Sequence, residues 1–150
     1  MIQRIQHLYL IFVIANLCVL LSGINLASYE AKNLMHQCTV YGFLEGKNMV
    51  HNFPLYIIVL LLIAFLIFSI SQFKKLKLQL KIVQLTFVLY LLFTLGVTAL
   101  FLFKLMPNVP EKVSFEMGYY LLVLGLPFTY LGMRGIKRDK NLLDSLNRLR

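Results

Sequence analysis

Ionisable side chains are what this sequence has least of. Only 14% of its residues are Asp, Glu, Lys or Arg, against roughly a quarter in an average soluble domain. Acids are the rarer sign, six against fifteen Lys and Arg. The long apolar stretches carry no Asp, Lys or Arg in their central turns, and Glu116 is the one Glu near any of them. Pumps, ion-coupled transporters and carboxylate enzymes in lipid place such groups within their spans. Their absence counts against those classes, and no catalytic residue or cofactor is implied.

Cysteine is almost as scarce. Cys18 and Cys38 form no Cys-x-x-Cys pair, so a thiol redox enzyme is the least favoured alternative. Cys18 falls in mid-stretch and Cys38 in a polar segment. A straight helix rising about 1.5 Å per residue would separate them too far for a disulfide, and two free thiols are expected. His36, Cys38 and His51 do not reproduce the paired ligand spacing of a structural zinc site, so no metal is expected.

Apolar residues are abundant. They make up 59% of the 150 residues, with a mean hydropathy of +0.77. A soluble fold of this size could not cover that surface, whereas lipid does not require it to be covered. Four stretches of about 20 residues suit a hydrocarbon core of ~30 Å: residues 7–27, 53–73, 82–103 and 115–133. None alternates as a barrel strand would, so helices are expected. The fold class predicted is an all-α membrane protein, a single domain built as a four-transmembrane-helix bundle. The first stretch is longer than a signal-peptide core and lacks an A-x-A site after it, and it reads as a retained helix. Pro54 suits a first helical turn. Ser114 is a candidate N-cap for the fourth helix, with Asn108 and Pro110 marking an earlier possible start.

The basic residues divide by side. Arg4, then Lys74, Lys75, Lys77 and Lys81, then Arg134, Lys137, Arg138, Lys140, Arg148 and Arg150 lie on one side of the four spans. Only Lys32, Lys47, Lys104 and Lys112 lie on the other. The positive-inside rule places both termini in the cytoplasm. Anionic lipid headgroups are the simplest partners of that charge.

The 28–52 connection is long for a bundle loop. Gln37–Tyr41 has strand character, Glu45-Gly46-Lys47-Asn48 is a turn signal and Met49–His51 suits a return strand, so a short extracytoplasmic β-hairpin is expected. The tail, 134–150, repeats leucine at 142, 146 and 149 among basic residues, an amphipathic helical pattern for a membrane interface or a partner. It has no aromatic residue for base stacking, and nucleic acid is a poor candidate partner.

Within the spans the remaining polar and small residues read as packing features. Thr86, Tyr90, Thr94 and Thr98 repeat every four residues, suited to hydrogen bonds between helices. Gly118, Gly125 and Gly132 repeat every seven, which keeps them on one line of close approach. Asn16, Ser22 and Gly23 mark a polar, small-residue side of the first helix. Pro127 should kink the fourth helix and free the Val123 carbonyl, leaving room for a lipid groove beside it.

The chain ends carry a resemblance. The opening Met1-Ile2-Gln3-Arg4-Ile5-Gln6 and the close from Arg134 through Ile136-Lys137-Arg138-Asp139 to Leu142, Ser145 and Arg148-Leu149-Arg150 resemble the end motifs of a family of small Bacteroidota membrane proteins of unknown function. The sequence departs from that pattern at Lys140, where Glu is expected. The resemblance implies inner-membrane placement, no known activity and a role for the two ends. The expected function is a non-catalytic accessory or scaffold subunit of a membrane complex, with other membrane proteins or a second copy as partners. A small transporter or lipid-binding protein is the alternative. Arg4, Lys137, Arg138, Asp139, Arg148 and Arg150 are the candidate partner or headgroup contacts.

Overall fold

The structure, a computed structural model, describes residues 3–31, 34–45, 48–52, 54–105 and 112–148. Among the described residues there are four helices and a five-stranded antiparallel sheet. The helices are α1 (Gln3–Leu21), α2 (Leu55–Ser71), α3 (Leu76–Leu105) and α4 (Met117–Arg148). Each packs on its neighbours around a ring, α1 on α2, α2 on α3, α3 on α4 and α4 back on α1, the last pair being the most extensive. Residues 76–102, within α3, are the one stretch among the described residues long and apolar enough to cross a membrane.

Local chemistry sets the helix ends. Ser22 donates its hydroxyl to the Val19 carbonyl at 2.6 Å, and the Tyr41 hydroxyl donates to Leu21 O at 2.6 Å. Terminal carbonyls of α1 are thereby satisfied. Pro54 stands at the start of α2, and its carbonyl accepts from Ile57 N at 3.1 Å. The turn after α2 is much shorter than the expected 74–81 loop. Lys75 N donates to Gln72 O at 2.9 Å, and α3 begins at Leu76. Leucine, lysine and glutamine are good helix formers, so Lys77 and Lys81 belong to the helix.

The expected hairpin is the larger correction. Residues 27–52 form four strands, β1 (Ala27–Ala31), β2 (Leu34–Thr39), β3 (Gly42–Glu45) and β4 (Asn48–Asn52). The expected turn at Gly46-Lys47 lies outside the described residues. A fifth strand, β5 (Lys112–Phe115), adds to the free side of β1, giving the order β4-β3-β2-β1-β5. Gly42 turns from β2 into β3 with φ +148°, a conformation that favours glycine.

Ser114 is therefore a strand residue, not the N-cap of the fourth helix; Asn108 and Pro110 lie outside the described residues. Ser28, opposite Ser114 in the ladder, shares a 2.8 Å hydrogen bond with it and donates to Glu116 Oε1 at 2.8 Å. Glu116 N donates to Leu26 O and Gly118 N to Asn25 O, both at 3.0 Å. These bonds fasten the exit of α1 to the start of α4. The sheet closes one end of the bundle. Phe101 of α3 meets Tyr29 at 6.1 Å and Phe115 at 5.7 Å between ring centroids, and Tyr41 meets Tyr56 of α2 at 5.6 Å.

α4 departs most from expectation. It is one helix from Met117 to Arg148, with Pro127 inside it, rather than a span followed by a separate tail helix. Its buried positions are Gly118, Leu122, Gly125, Thr129, Gly132, Ile136 and Asp139, spaced alternately by four and three. That spacing defines a line of contact along a helix in a bundle. The expected glycine line supplies three of these seven positions. A Cβ on Gly118 would stand 2.6 Å from Asn25 O, one on Gly132 2.9 Å from Leu10 Cδ2, and one on Gly125 would overlap the Tyr90 phenol.

Just before Pro127, Leu121 O accepts from Asn16 Nδ2 at 2.6 Å and Leu122 O accepts from Tyr90 Oη at 3.0 Å. The threonines of α3 behave differently from expectation. Thr86, Thr94 and Thr98 donate to carbonyls four residues back in their own helix, at 2.8–2.9 Å. Tyr90 and Thr98 are the members of the stripe that reach across, the latter to Tyr119 Oη at 3.1 Å.

Replacing Gly125 with Leu should remove about 1–3 kcal/mol of stability, the usual cost of forcing volume into a packed contact. A thermal melt of the purified variant checks this, and an unchanged midpoint would contradict the packing described.

Candidate functional site at the far end of the bundle

The end opposite the sheet gathers the candidate residues from the C-terminal sequence. Successive residues on a helix point about 100° apart, since a turn takes 3.6 residues. The run Arg134–Lys140 is therefore divided between two faces. Arg134, Lys137 and Arg138 are exposed, while Ile136 and Asp139 are buried. The side chains of Arg4 and Arg148, and the whole of Arg150, lie outside the described residues. Of the candidate contacts, the structure thus brings Lys137 and Arg138 to one surface and adds Arg134 to them.

Asp139 is the correction. Its place among the cations in sequence suggests a surface contact, yet it faces α1 and is only 8% exposed. Its Oδ2 accepts a hydrogen bond from Gln6 Nε2 at 2.8 Å. A carboxylate at this depth needs such a donor. Gly135 allows the approach, because a Cβ there would stand 3.1 Å from Gln6 Cβ. Asp139 sits seven residues after Gly132, so it holds the next place on the glycine line. That periodicity is the sequence signal for its inward direction.

Gln6 is one of several buried polar side chains at this end of the bundle that the sequence does not reveal. Gln6 Oε1, Ser69 Oγ and both side-chain polar atoms of Gln79 are buried without a hydrogen-bond partner among the described residues. Ser69 and Gln79 flank the α2–α3 turn, at the same end of the bundle as Gln6 and Asp139.

The outer face of α4 forms an open groove of about 760 Å³, lined by Leu131, Arg134, Gly135, Lys137, Arg138, Asn141 and Leu142. No acid is among these residues. A second groove, about 430 Å³ and almost wholly apolar, runs between α2 and α3 past Ile58, Leu61, Leu89, Phe93 and Gly96. Nothing lies within 4 Å of where a Gly96 Cβ would be. Pro127, beside which a groove is expected, is not among the lining residues of either groove.

Cys18 and Cys38 are free thiols. Cys38 is buried in β2, where burial pushes its pKa up to about 11. His36 stacks on Tyr29 at 4.8 Å between ring centroids. The ladder registers place Cys38 and His51 on strands separated by β3, roughly two strand spacings of ~4.8 Å apart. Among the described residues no group of three or more His, Cys, Asp and Glu is placed to hold a metal ion.

Gln6→Leu should cost about 1–3 kcal/mol by stranding the Asp139 carboxylate, and adding Asp139→Leu should recover part of that loss. Thermal melts of the two single variants and the double variant measure the coupling. Alkylation of Cys38 by iodoacetamide at pH 8 should run roughly a hundredfold or more slower than at a free cysteine, because only the thiolate reacts. Peptide mass mapping reads it, and equal labelling of Cys38 in folded and unfolded protein would refute it.

A comparison with curated proteins finds no match. Residues 2–149 match the family described as Domain of unknown function (DUF4293). The matched range takes in nearly all of both end motifs, and the chain belongs to that family.

Proposed function

We propose that the chain is a multi-pass protein of a bacterial inner membrane, with both ends in the cytoplasm and the sheet on the opposite side. In this reading it serves as a non-catalytic accessory or scaffold subunit of a membrane complex. The observation that carries the membrane reading is an inverted distribution of polarity. Large apolar side chains face outward on every helix, among them Leu8, Ile11, Ile57, Leu60, Ile67, Val88, Leu95, Tyr120 and Leu124. The interior meanwhile contains Gln6, Asn16, Ser69, Gln79, Thr86, Thr94 and Thr129. Water would penalise that arrangement on both counts.

The apolar window of α3 is only 33% buried, which argues against a soluble core helix. α1 and α2, at 19 and 17 residues, rise roughly 28 and 25 Å at 1.5 Å per residue. Those lengths approach a hydrocarbon core of ~30 Å. The first half of α4, with Leu121, Leu122, Val123, Leu124 and Leu126, supplies the fourth span. Lysines of the α2–α3 turn and the cations of α4 lie at one end of this bundle, and that asymmetry supports cytoplasmic ends.

The scaffold reading rests on surfaces. The bundle offers a sheet at one end and a basic helix at the other, while charged groups are missing from the middle of α1, α2 and α3 and from the first half of α4. The apolar groove between α2 and α3 favours a second reading, a lipid-binding or small transport protein.

Washing membranes with alkaline carbonate should leave the chain in the pellet, and release into the supernatant would overturn the membrane reading. Gentle detergent extraction through an affinity tag should bring down a membrane protein in stoichiometric amount. A monomer with nothing bound would overturn the scaffold reading.

A further inference from the structure

The outer face of α4 changes character along one line. Leu124, Leu131 and Arg138 are spaced by sevens, so they share a face of the helix. Val123, Leu124 and Leu131 are exposed on its upper part, at 41%, 42% and 39%. Arg134, Lys137 and Arg138 are exposed immediately below them. Arg134 and Arg138 are one turn apart, which brings their Cβ atoms to about 5–6 Å. Lys137 is three residues after Arg134, and Asn141 is three after Arg138. The groove these residues line is bounded by Leu131 at one end and Leu142 at the other.

Among the described residues no acid lines the groove. Asp139, the acid nearest in sequence, is turned inward onto Gln6. Asp144 is beyond Asn141 and is not among the lining residues. Two guanidinium groups set one turn apart suit the oxygens of a single phosphate, to which arginine donates in a planar fork. The apolar line above them suits a hydrocarbon chain running parallel to the helix. A phosphate below and an alkyl chain above, on one helix face, is the outline of a phospholipid.

We infer that the groove on the outer face of α4 is a binding site for one anionic phospholipid, its phosphate held by Arg134, Lys137 and Arg138 and its acyl chain lying along Leu131 and Leu124. This rests on the membrane reading above. A zwitterionic lipid is disfavoured because no lining carboxylate is present to receive its ammonium group.

The test uses the full chain, purified in mild detergent, stripped of lipid and given equal amounts of phosphatidylglycerol and phosphatidylcholine. Native mass spectrometry then counts the adducts. The first bound phosphatidylglycerol should exceed phosphatidylcholine by about tenfold or more, because each basic residue near a lipid surface favours an anionic headgroup. Arg134→Gln, Lys137→Gln and Arg138→Gln combined should bring the ratio close to one without moving the thermal melt, since all three side chains are exposed. Lys74→Gln combined with Lys75→Gln should leave the preference intact.

A ratio near one in the unmodified protein would overturn the inference, as would a preference that survives in the triple variant. Displacement of the lipid by millimolar inorganic phosphate would also overturn it, by revealing a simple anion site. If the chain stays in the carbonate pellet while the ratio is near one, the lipid site fails and the membrane reading stands. If the chain is released from the pellet, the membrane reading itself fails.

Discussion

The structure depends on how closely α4 approaches its neighbours. Along its contact line, glycine alternates with larger residues from Gly118 to Gly132, and each glycine admits a different neighbour. Asn25 O comes against Gly118, the Tyr90 phenol against Gly125 and Leu10 against Gly132. The larger positions between them, Leu122, Thr129 and Ile136, fill the interior. Such contacts give dispersion energy and hydrogen bonds without relying on expulsion of water, which is how helices associate when their surroundings are as apolar as their side chains. The hydrogen bonds from Asn16 and Tyr90 to consecutive carbonyls of α4 depend on the same proximity.

The helices are legible in the sequence because apolar length is a strong signal. Residues 55–71 lie wholly inside the apolar stretch 53–73, and the core of α3 inside 82–103. The ends are not legible, for a physical reason. Lys77, Gln79 and Lys81 look like a loop when polarity is allowed to end the helix, whereas their backbone propensity favours continuing it. The unbroken course of α4 is hidden in the same way by Gly132, Gly135 and the charged run after them. A glycine weakens an isolated helix, but these two let Leu10 and Gln6 come close, and the packing outweighs propensity.

The sheet is the least legible part. Only β2 and β4 give a strand signal, while β1 reads Ala-Ser-Tyr-Glu-Ala and shows little. β5 is distant in sequence from the strand it joins, and no local pattern reports a pairing of that separation. The site is legible in composition and not in direction. Lys137, Arg138 and Asp139 stand together in the sequence, yet a helix turns consecutive residues to different sides. The cations face out and the acid faces in. Gln6 and Gln79 give no signal because neither is ionisable and both fall outside the apolar stretches.

α4 also joins the two ends of the molecule mechanically. Its first turn is fastened to the connection between α1 and β1 through Gly118 N and Asn25 O, and its later turns carry the basic groove. At 32 residues and 1.5 Å per residue it is about 48 Å long, with no loop in between to absorb a displacement. One helix therefore carries the groove at a distance from the sheet-bearing end that is set by the number of α4 residues between them and not by the conformation of a connecting loop.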